Sequence, residues 1–267
     1  MEEALELEAL VKKTGLIFAL THNYTGYPMV KQARAMVRSG ELGKIRKVVV
    51  EYPQGRLSKK EEDNNYKQAI WRTDPTQSGI AGAMGDIGTH AENLAEYVTG
   101  LQITEMCADI SILVEGRLLD DDGNVLLHFD NGAKGILHAS QISAGEENGL
   151  NIRVYGEKGG LYWKQEEPNT LLVTRLDKPK EIYRPKITPL SPEANAHIRV
   201  PAGHPEGYLE AFANIYRNFA LAVQARMAGE APDPLLDFPT VSDGVRGMRF
   251  IEKVIESGKS TAKWVKF

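Results

Sequence analysis

Cysteine is almost missing from this chain: Cys107 is the one thiol among 267 residues. No disulfide framework and no cysteine-rich zinc site can be built from it, and such usage favours a reducing compartment. Long apolar runs are also missing, and no segment approaches the roughly 20 residues that cross a bilayer. The opening MEEALELEALVKK is acidic and amphipathic, without the basic segment and apolar core of a secretory signal. A cytoplasmic location is expected. There is no basic tract and no basic–aromatic pattern, and the formal net charge is −4, so nucleic acid is not the expected partner. There is no Walker loop. GAMGDIG, residues 82–88, spaces its glycines G-x-x-G-x-x-G. A dinucleotide fingerprint needs G-x-G-x-x-G after a strand and an acid about 20 residues later. DDDGN, residues 120–124, misplaces the glycine and final glutamate of a calcium loop and reads as a hairpin turn.

What is there is an ordinary globular composition, 42% hydrophobic and 25% charged. The length suits one large domain or two modest ones. Residues 2–14 are good helix formers stopped by Gly15. Leu16 to Leu20 is a short continuous apolar run, read as a strand buried on both faces. A lone helix and one such strand make no parallel sheet, so residues 1–24 read as the tail of a domain that begins earlier. Pro28 opens a second helix and Gly40 closes it, with Val30, Ala33 and Val37 on the buried face. Ile45 to Tyr52 is β-branched and reads as a strand. Residues 53–78 are polar and weakly periodic, a long loop of the kind that often carries function, although 56–66 fits a solvated excursion equally well.

A helix over 87–99 buries Ile87, Ala91, Leu94 and Val98 and ends at Gly100. Strands are predicted at 105–114, 124–129, 134–143, 150–155, 160–164 and 170–175. Hairpin signals stand at Asp122-Gly123, Asn131-Gly132 and Gly159-Gly160. Residues 177–206 read as an extended, proline-rich excursion. Two amphipathic helices follow. Over 207–227 the stripe is Tyr208, Phe212, Ile215, Phe219 and Val223; over 240–257 it is Val241, Val245, Met248, Ile251 and Ile255. Helices before and after a run of antiparallel strands predict an α+β fold over 25–267. The expected form is a large, mainly antiparallel, open-faced sheet with helices on one face, preceded by the helix-plus-strand remnant. Its uncovered face is expected to be buried by another subunit or domain.

The densest chemistry lies in GIAGAMGDIGTHAENL, residues 79–94. Asp86 and His90 stand four apart where a glycine-rich loop becomes a helix, so they share one helix face. Histidine is the readiest proton carrier near neutral pH, and a neighbouring carboxylate can orient it and stabilise its charged form. Equally, Asp86 can cap the helix while His90 packs inside. The glycines permit either close approach of a ligand or tight helix packing. Upstream, Trp71, Arg72 and Asp74 form a set that could recognise a polyol or a cofactor amide, or a surface loop anchored by tryptophan. His22, Asn23 and Tyr24 follow the first apolar run, where open α/β sheets bind ligands. His204, Glu206 and Tyr208 sit at another loop-to-helix entry. His128 and His138, in alternating strands, read as structural.

In this order the segments resemble the C-terminal part of the Gfo/Idh/MocA oxidoreductases, the glucose–fructose oxidoreductase and inositol dehydrogenase family. EEALELEALVKKTG with LIFALTHNY resembles the last helix and strand of the family's Rossmann domain. YPMVKQARAMVRSGELGKIRKV resembles the opening helix of its second domain, and WRTDP with GAMGDIGTHAENLAEYVTG its catalytic segment. VYGEKGGLYW and SDGVRGMRFIEKVIESGKS resemble a later strand pair and the closing helix. The resemblance implies hydride transfer between a sugar, glycoside or cyclitol carbon and NAD or NADP. It implies that His90 takes the hydroxyl proton with Asp86 in support, and that Trp71 and Arg72 lie near cofactor or substrate. Asn23, Tyr24, His204 and Tyr208 then line the substrate cleft. The family's nucleotide fingerprint and its Glu-Lys-Pro lysine have no counterpart in these residues. Pyrophosphate recognition needs such a strand-to-helix turn, so the 267 residues alone are expected neither to bind NAD(P) tightly nor to turn over. Two other readings stand beside this one: a non-catalytic sugar-binding or oligomerising module, and a metal-dependent sugar isomerase or hydrolase using His22, Asp86, His90 and His204. No His-x-x-x-His spacing supports the last, and no metal is expected.

Overall fold

The computed structural model describes residues 1–64 and 66–267. Its strands are β1 (Ile45–Pro53), β2 (Ile103–Ser111), β3 (Asp122–Phe129), β4 (Lys134–Ser140), β5 (Asn151–Gly156), β6 (Gly159–Lys164), β7 (Leu171–Arg175), β8 (Lys178–Tyr183) and β9 (Trp264–Lys266). They form one sheet in the order β8-β7-β6-β5-β1-β4-β3-β2-β9. Neighbours run antiparallel except β1 and β4, which run parallel with Val50 opposite Leu137. That pair brings two strand carboxyl ends side by side, which matters below.

The helices are α1 (Glu2–Thr14), α2 (Pro28–Arg38), α3 (Lys67–Thr73), α4 (Pro75–Ser78), α5 (Thr89–Thr99), α6 (Pro192–Ala196), α7 (Tyr208–Met227) and α8 (Val241–Lys259). Strand residues alternate, and one sheet face carries Val48, Val50, Met106, Leu127, Leu137, Ile152, Val154 and Trp163 into the core. Helices α2, α5 and α8 pack on that face, contributing Val30, Ala33, Leu94, Val98, Phe250 and Val254. Each of the larger aliphatic or phenyl side chains gives roughly 1.5–3 kcal/mol when fully buried. The α+β architecture and the largely antiparallel sheet agree with the expected fold class. The strands at 45–52, 124–129, 150–155, 160–164 and 170–175 fall where they were expected to within a few residues.

Several expectations are corrected. Leu16 to Leu20 forms no strand: Leu16 is 65% exposed, and the backbone bond of Leu20 N goes to Pro239 O at 2.8 Å. An apolar run becomes a strand only beside a partner edge, and no described residue supplies one here. Asp122-Gly123 is not a turn but the start of β3, paired with Ser111 and Ile110. Gly159-Gly160 opens β6, and the turn is Glu157-Lys158; a Cβ on Gly159 would stand 2.3 Å from Thr174 O, so the glycine allows strand approach. Asn131-Gly132 is a turn, with Gly132 at φ 88°.

The predicted stripes are buried in part: Ile215 of α7 is buried together with Ala211, Asn214, Asn218 and Ala222, and Val241 and Val245 of α8 together with Gly247, Phe250, Val254 and Ser257. Tyr208 and Met248 remain half-exposed. Polar Asn214 and Asn218 are buried because each finds partners. The loop 53–78 contains α3 and α4, and the excursion 177–206 contains β8 and α6. No described helix is long and apolar enough to cross a membrane.

Candidate active site

Three local structures converge beneath α7. The first is a 3-10 turn, Asn23–Gly26, entirely buried. Helix α7 seats it: Asn214 Nδ2 donates to Gly26 O at 2.9 Å, and a Cβ on Gly26 would lie 2.2 Å from Ala211 O. The second is the carboxyl end of β1, which presents Tyr52, Gln54 and Arg56 at period two. The third is a π-helical turn, Met84–Gly88, that leads into α5. Such turns interrupt helices mostly at functional sites.

Asp120 fixes that third element. Its carboxylate accepts from Gly82 N at 2.6 Å and from Met84 N at 2.7 Å, satisfying N–H groups that a helix start otherwise leaves unpaired. A Cβ on Gly82 would lie 2.1 Å from Asp120 O. The glycine loop therefore serves close packing, and its amides are already occupied by a carboxylate.

These elements enclose a cavity of about 510 Å³ lined by Asn23, Tyr24, Tyr52, Gln54, Arg56, Arg72, Asp86, His90, Asn148 and Tyr208 among others. Asp86 Oδ2 accepts from Arg72 Nε at 2.8 Å, Arg56 Nη2 at 3.0 Å and Gln141 Nε2 at 2.7 Å. Among the described residues no donor meets Oδ1, so it is available to a ligand hydroxyl. Gln141 follows β4 as Gln54 and Arg56 follow β1, so the carboxyl ends of the one parallel pair supply three of the polar groups.

The ring of His90 does not bond Asp86. Its Nδ1 lies 3.2 Å from His22 Nδ1, and its ring stands edge-on to Tyr24 with centroids 5.1 Å apart. Burial pushes the His90 imidazolium down, with Asp86 opposing. Burial and the neighbouring His90 bring His22 down to about 3. Both rings are neutral near pH 7. Tyr52 Oη donates to Asn148 Oδ1 at 2.8 Å, so Tyr24 Oη donates to Tyr52. Burial, with help from Tyr24, raises the Tyr52 phenol well above its ordinary value. Gln54 Nε2 donates to the same Asn148 oxygen at 2.7 Å. Asn23 Nδ2 and Gln54 Oε1 are buried without partners.

Of the residues singled out from sequence, Asn23, Tyr24, Arg72, Asp86, His90 and Tyr208 line this one cavity. Trp71 does not line it; the indole is 40% exposed, with the Arg72 guanidinium 4.2 Å over its ring. His204 is exposed outside it, its Nδ1 3.3 Å from Ala202 O, because the loop it occupies turns outward before α7. The set His22, Asp86, His90 and His204 is therefore not assembled, and no three His, Cys, Asp or Glu side chains among the described residues form a metal-ligand group. Sequence reasoning missed Tyr52, Gln54, Arg56, Gln141 and Asn148. The period-two polar run at 52, 54 and 56 was the available signal.

A match to the GFO/IDH/MocA C-terminal domain covers residues 30–162. The uncharacterized oxidoreductase YfiI of Bacillus subtilis is 33% identical over 99% of this chain and 68% of its own length. An oxidoreductase from Sinorhizobium meliloti superposes with TM-score 0.87 at 43% identity, over 99% of this chain and 69% of that one. An inositol dehydrogenase homolog from Azotobacter vinelandii, solved with NADH and myo-inositol, superposes with TM-score 0.89 at 32% identity, over 100% of this chain and 68% of that one. With the ordered motifs and the shared fold, these likenesses place the chain in the GFO/IDH/MocA oxidoreductase family.

Proposed function

We propose that these residues hold the substrate of an NAD(P)-dependent dehydrogenase that moves a hydride between the nicotinamide and a hydroxyl-bearing carbon of a sugar, glycoside or cyclitol. The observation that carries this reading is the polar cavity in which a neutral His90 and a triply bonded Asp86 face the same space. Asp86, held by Arg56, Arg72 and Gln141, offers its free Oδ1 to one substrate hydroxyl. His90, buried and neutral, removes the proton of the hydroxyl being oxidised. Tyr24, Tyr52, Gln54 and Asn148 present fixed donors and acceptors to the remaining hydroxyls. A pocket that leaves polar groups unpaired when a hydroxyl is missing selects strongly for hydroxylated ligands.

The donor set fits only the nicotinamide end of the cofactor, where the partnerless Asn23 Nδ2 suits a carboxamide oxygen. The glycine turn at 82–88 does not fit a pyrophosphate, because Asp120 already occupies its amides. The nicotinamide, when bound, supplies the hydride acceptor. Residues 1–24 are read as part of the nucleotide-binding unit, a reading supported by the exposure of Leu5, Leu7, Leu10 and Leu16. Purified on their own, the 267 residues are expected to bind nucleotide weakly and to oxidise no sugar; robust turnover would refute that expectation.

A second copy of the chain is the proposed cover for the open sheet face. The uncovered side carries one residue per strand in a single cross-strand row, including Trp264, Leu126, Ile136, Val49, Tyr162 and Leu172. Only Arg153 interrupts it with charge. A long apolar stripe of this kind on an uncovered sheet face marks an interaction surface.

The substrate reading is tested by calorimetric titration of myo-inositol and other polyols into the wild-type chain and into Asp86→Ala and His90→Ala. Saturable binding that Asp86→Ala weakens tenfold or more is expected. Equal binding by all three proteins refutes the assignment.

A further inference from the structure

We propose that His22 and His90 act as one proton-sharing pair, in which His90 receives the substrate hydroxyl proton at Nε2 while its Nδ1 proton passes to His22. The inference rests on the dehydrogenase reading for the identity of the proton donor, but the pair itself is a property of this chain. The two Nδ1 atoms face each other at 3.2 Å. With both rings neutral, that contact is a hydrogen bond only if one Nδ1 carries hydrogen and the other a lone pair. The pair therefore has two tautomeric forms. In one, His90 donates from Nδ1, and its Nε2 is a free base toward the cavity. In the other, His22 donates, and His90 Nε2 carries hydrogen.

The step balances without any electron transfer. The substrate O–H bond breaks and a His90 Nε2–H bond forms. The His90 Nδ1–H bond breaks and a His22 Nδ1–H bond forms. His22, already protonated at Nε2, carries the positive charge only in passing, because burial disfavours its imidazolium, and the reverse shift returns the proton to His90. Reduction of a ketone runs the same two transfers backwards from the protonated pair, with His90 Nε2–H as donor.

The surroundings favour sharing over export. His22 stands in the wall between the polar cavity and a second, apolar space of about 320 Å³ lined by Leu7, Phe18, Leu20, Val245 and Met248. Apart from His22 itself, the one polar side chain lining that space is Thr89, whose hydroxyl donates to Gly85 O at 3.1 Å. The titratable groups facing the pair are Asp86, from the π-helical turn, and the phenols of Tyr24 and Tyr52, whose rings pack against His90; α1 and α8 present only apolar or small residues to His22. Arg56 and Arg72, which pair with Asp86, are the fixed cations of the same cavity. Asp86 opposes the burial penalty at His90 without bonding either ring. A lone buried imidazole is a weak base, and a neutral acceptor at its far nitrogen offsets that loss. His22 is thus a positioning residue that makes a buried His90 basic enough for its task.

The test is nitrogen-15 NMR of the whole chain with labelled histidine near neutral pH, on wild type, His22→Gln and His22→Phe. Gln keeps an acceptor beside His90 but takes no proton. The expected wild-type result is tautomer averaging at both rings, with Nδ1 shifts between the protonated and unprotonated limits. His22→Gln is expected to end the averaging and fix His90 in one tautomer, and His22→Phe to shift the His90 ring alone while the amide spectrum stays folded. A single fixed tautomer at each wild-type ring, unmoved by His22→Gln, overturns the proposal. Averaging in a chain that binds no polyol would instead refute the substrate reading and leave the pair standing.

Discussion

Asp120→Ala is the most informative single perturbation, because Asp120 touches no ligand space yet fixes the turn that carries Asp86. The side chain is buried, at 6% exposure, and accepts two backbone N–H bonds of 2.6 and 2.7 Å. Alanine leaves both amides unpaired in the interior, at about 1–3 kcal/mol each. Part of that loss is offset, because burial disfavours the charged carboxylate and pushes its pKa up. A net destabilisation of about 2–4 kcal/mol follows from these opposing effects. In a chain of this size it lowers the melting temperature by roughly 4–8 °C. Asp120→Asn keeps one acceptor but turns an amide NH₂ toward the second N–H, so it should fall between alanine and wild type. Differential scanning calorimetry measures the shift, and polyol titration at a temperature where all three are folded measures the loosening of Asp86. A melting temperature within about 1 °C of wild type for Asp120→Ala would refute the claim that this carboxylate holds the turn.

Tyr52→Phe removes the hydroxyl that bonds both Tyr24 and Asn148 and should cost about 1–3 kcal/mol, read by urea denaturation, together with a loss of polyol affinity. Asp237→Ala leaves Lys31, whose side chain is 2% exposed, without its carboxylate at 2.9 Å, and a loss of about 3–5 kcal/mol is expected from denaturant melts. Burial opposes ionisation of Asp237, but Lys31 and Arg34 outweigh it and hold the carboxyl below its ordinary range. Its stabilisation is therefore full above about pH 4 and declines as pH falls toward the folded value; Asp237→Asn should show a flatter acid limb in stability-versus-pH curves. Leu126→Glu places a charge in the middle of the open-face row and should yield a monomer in analytical ultracentrifugation under conditions where the wild type self-associates, with the helical core intact by circular dichroism.

The helices and central strands were legible because period and punctuation agreed. Gly15 and Gly100 end α1 and α5 in left-handed geometry, and Val48, Val50, Val125 and Leu127 alternate as strand residues should. Asp86 and His90 were legible as a pair because only four positions separate them, yet their relation was not. The π-helical turn changes the helical register between them, and Asp86 turns to Arg56, Arg72 and Gln141 while His90 turns to His22. These partners lie 14 to 68 positions away in sequence, and local periodicity carries no information about contacts at such range. Leu16 to Leu20 misled for the same reason, since an apolar run reports hydrophobicity and not the presence of a neighbouring strand. The glycines of 82–88 were ambiguous until Asp120 was seen in the place a phosphate would need.

The central claim is that a hydroxylated ligand sits between Asp86 and His90. The most direct measurement is nitrogen-15 chemical-shift mapping of the chain during titration with myo-inositol. Saturable shifts concentrated at Asn23, Tyr24, Gln54, Asp86 and His90 are expected, abolished by Asp86→Ala. Shifts that cluster on the open sheet face or on α1, with those five residues unmoved at saturation, would contradict it.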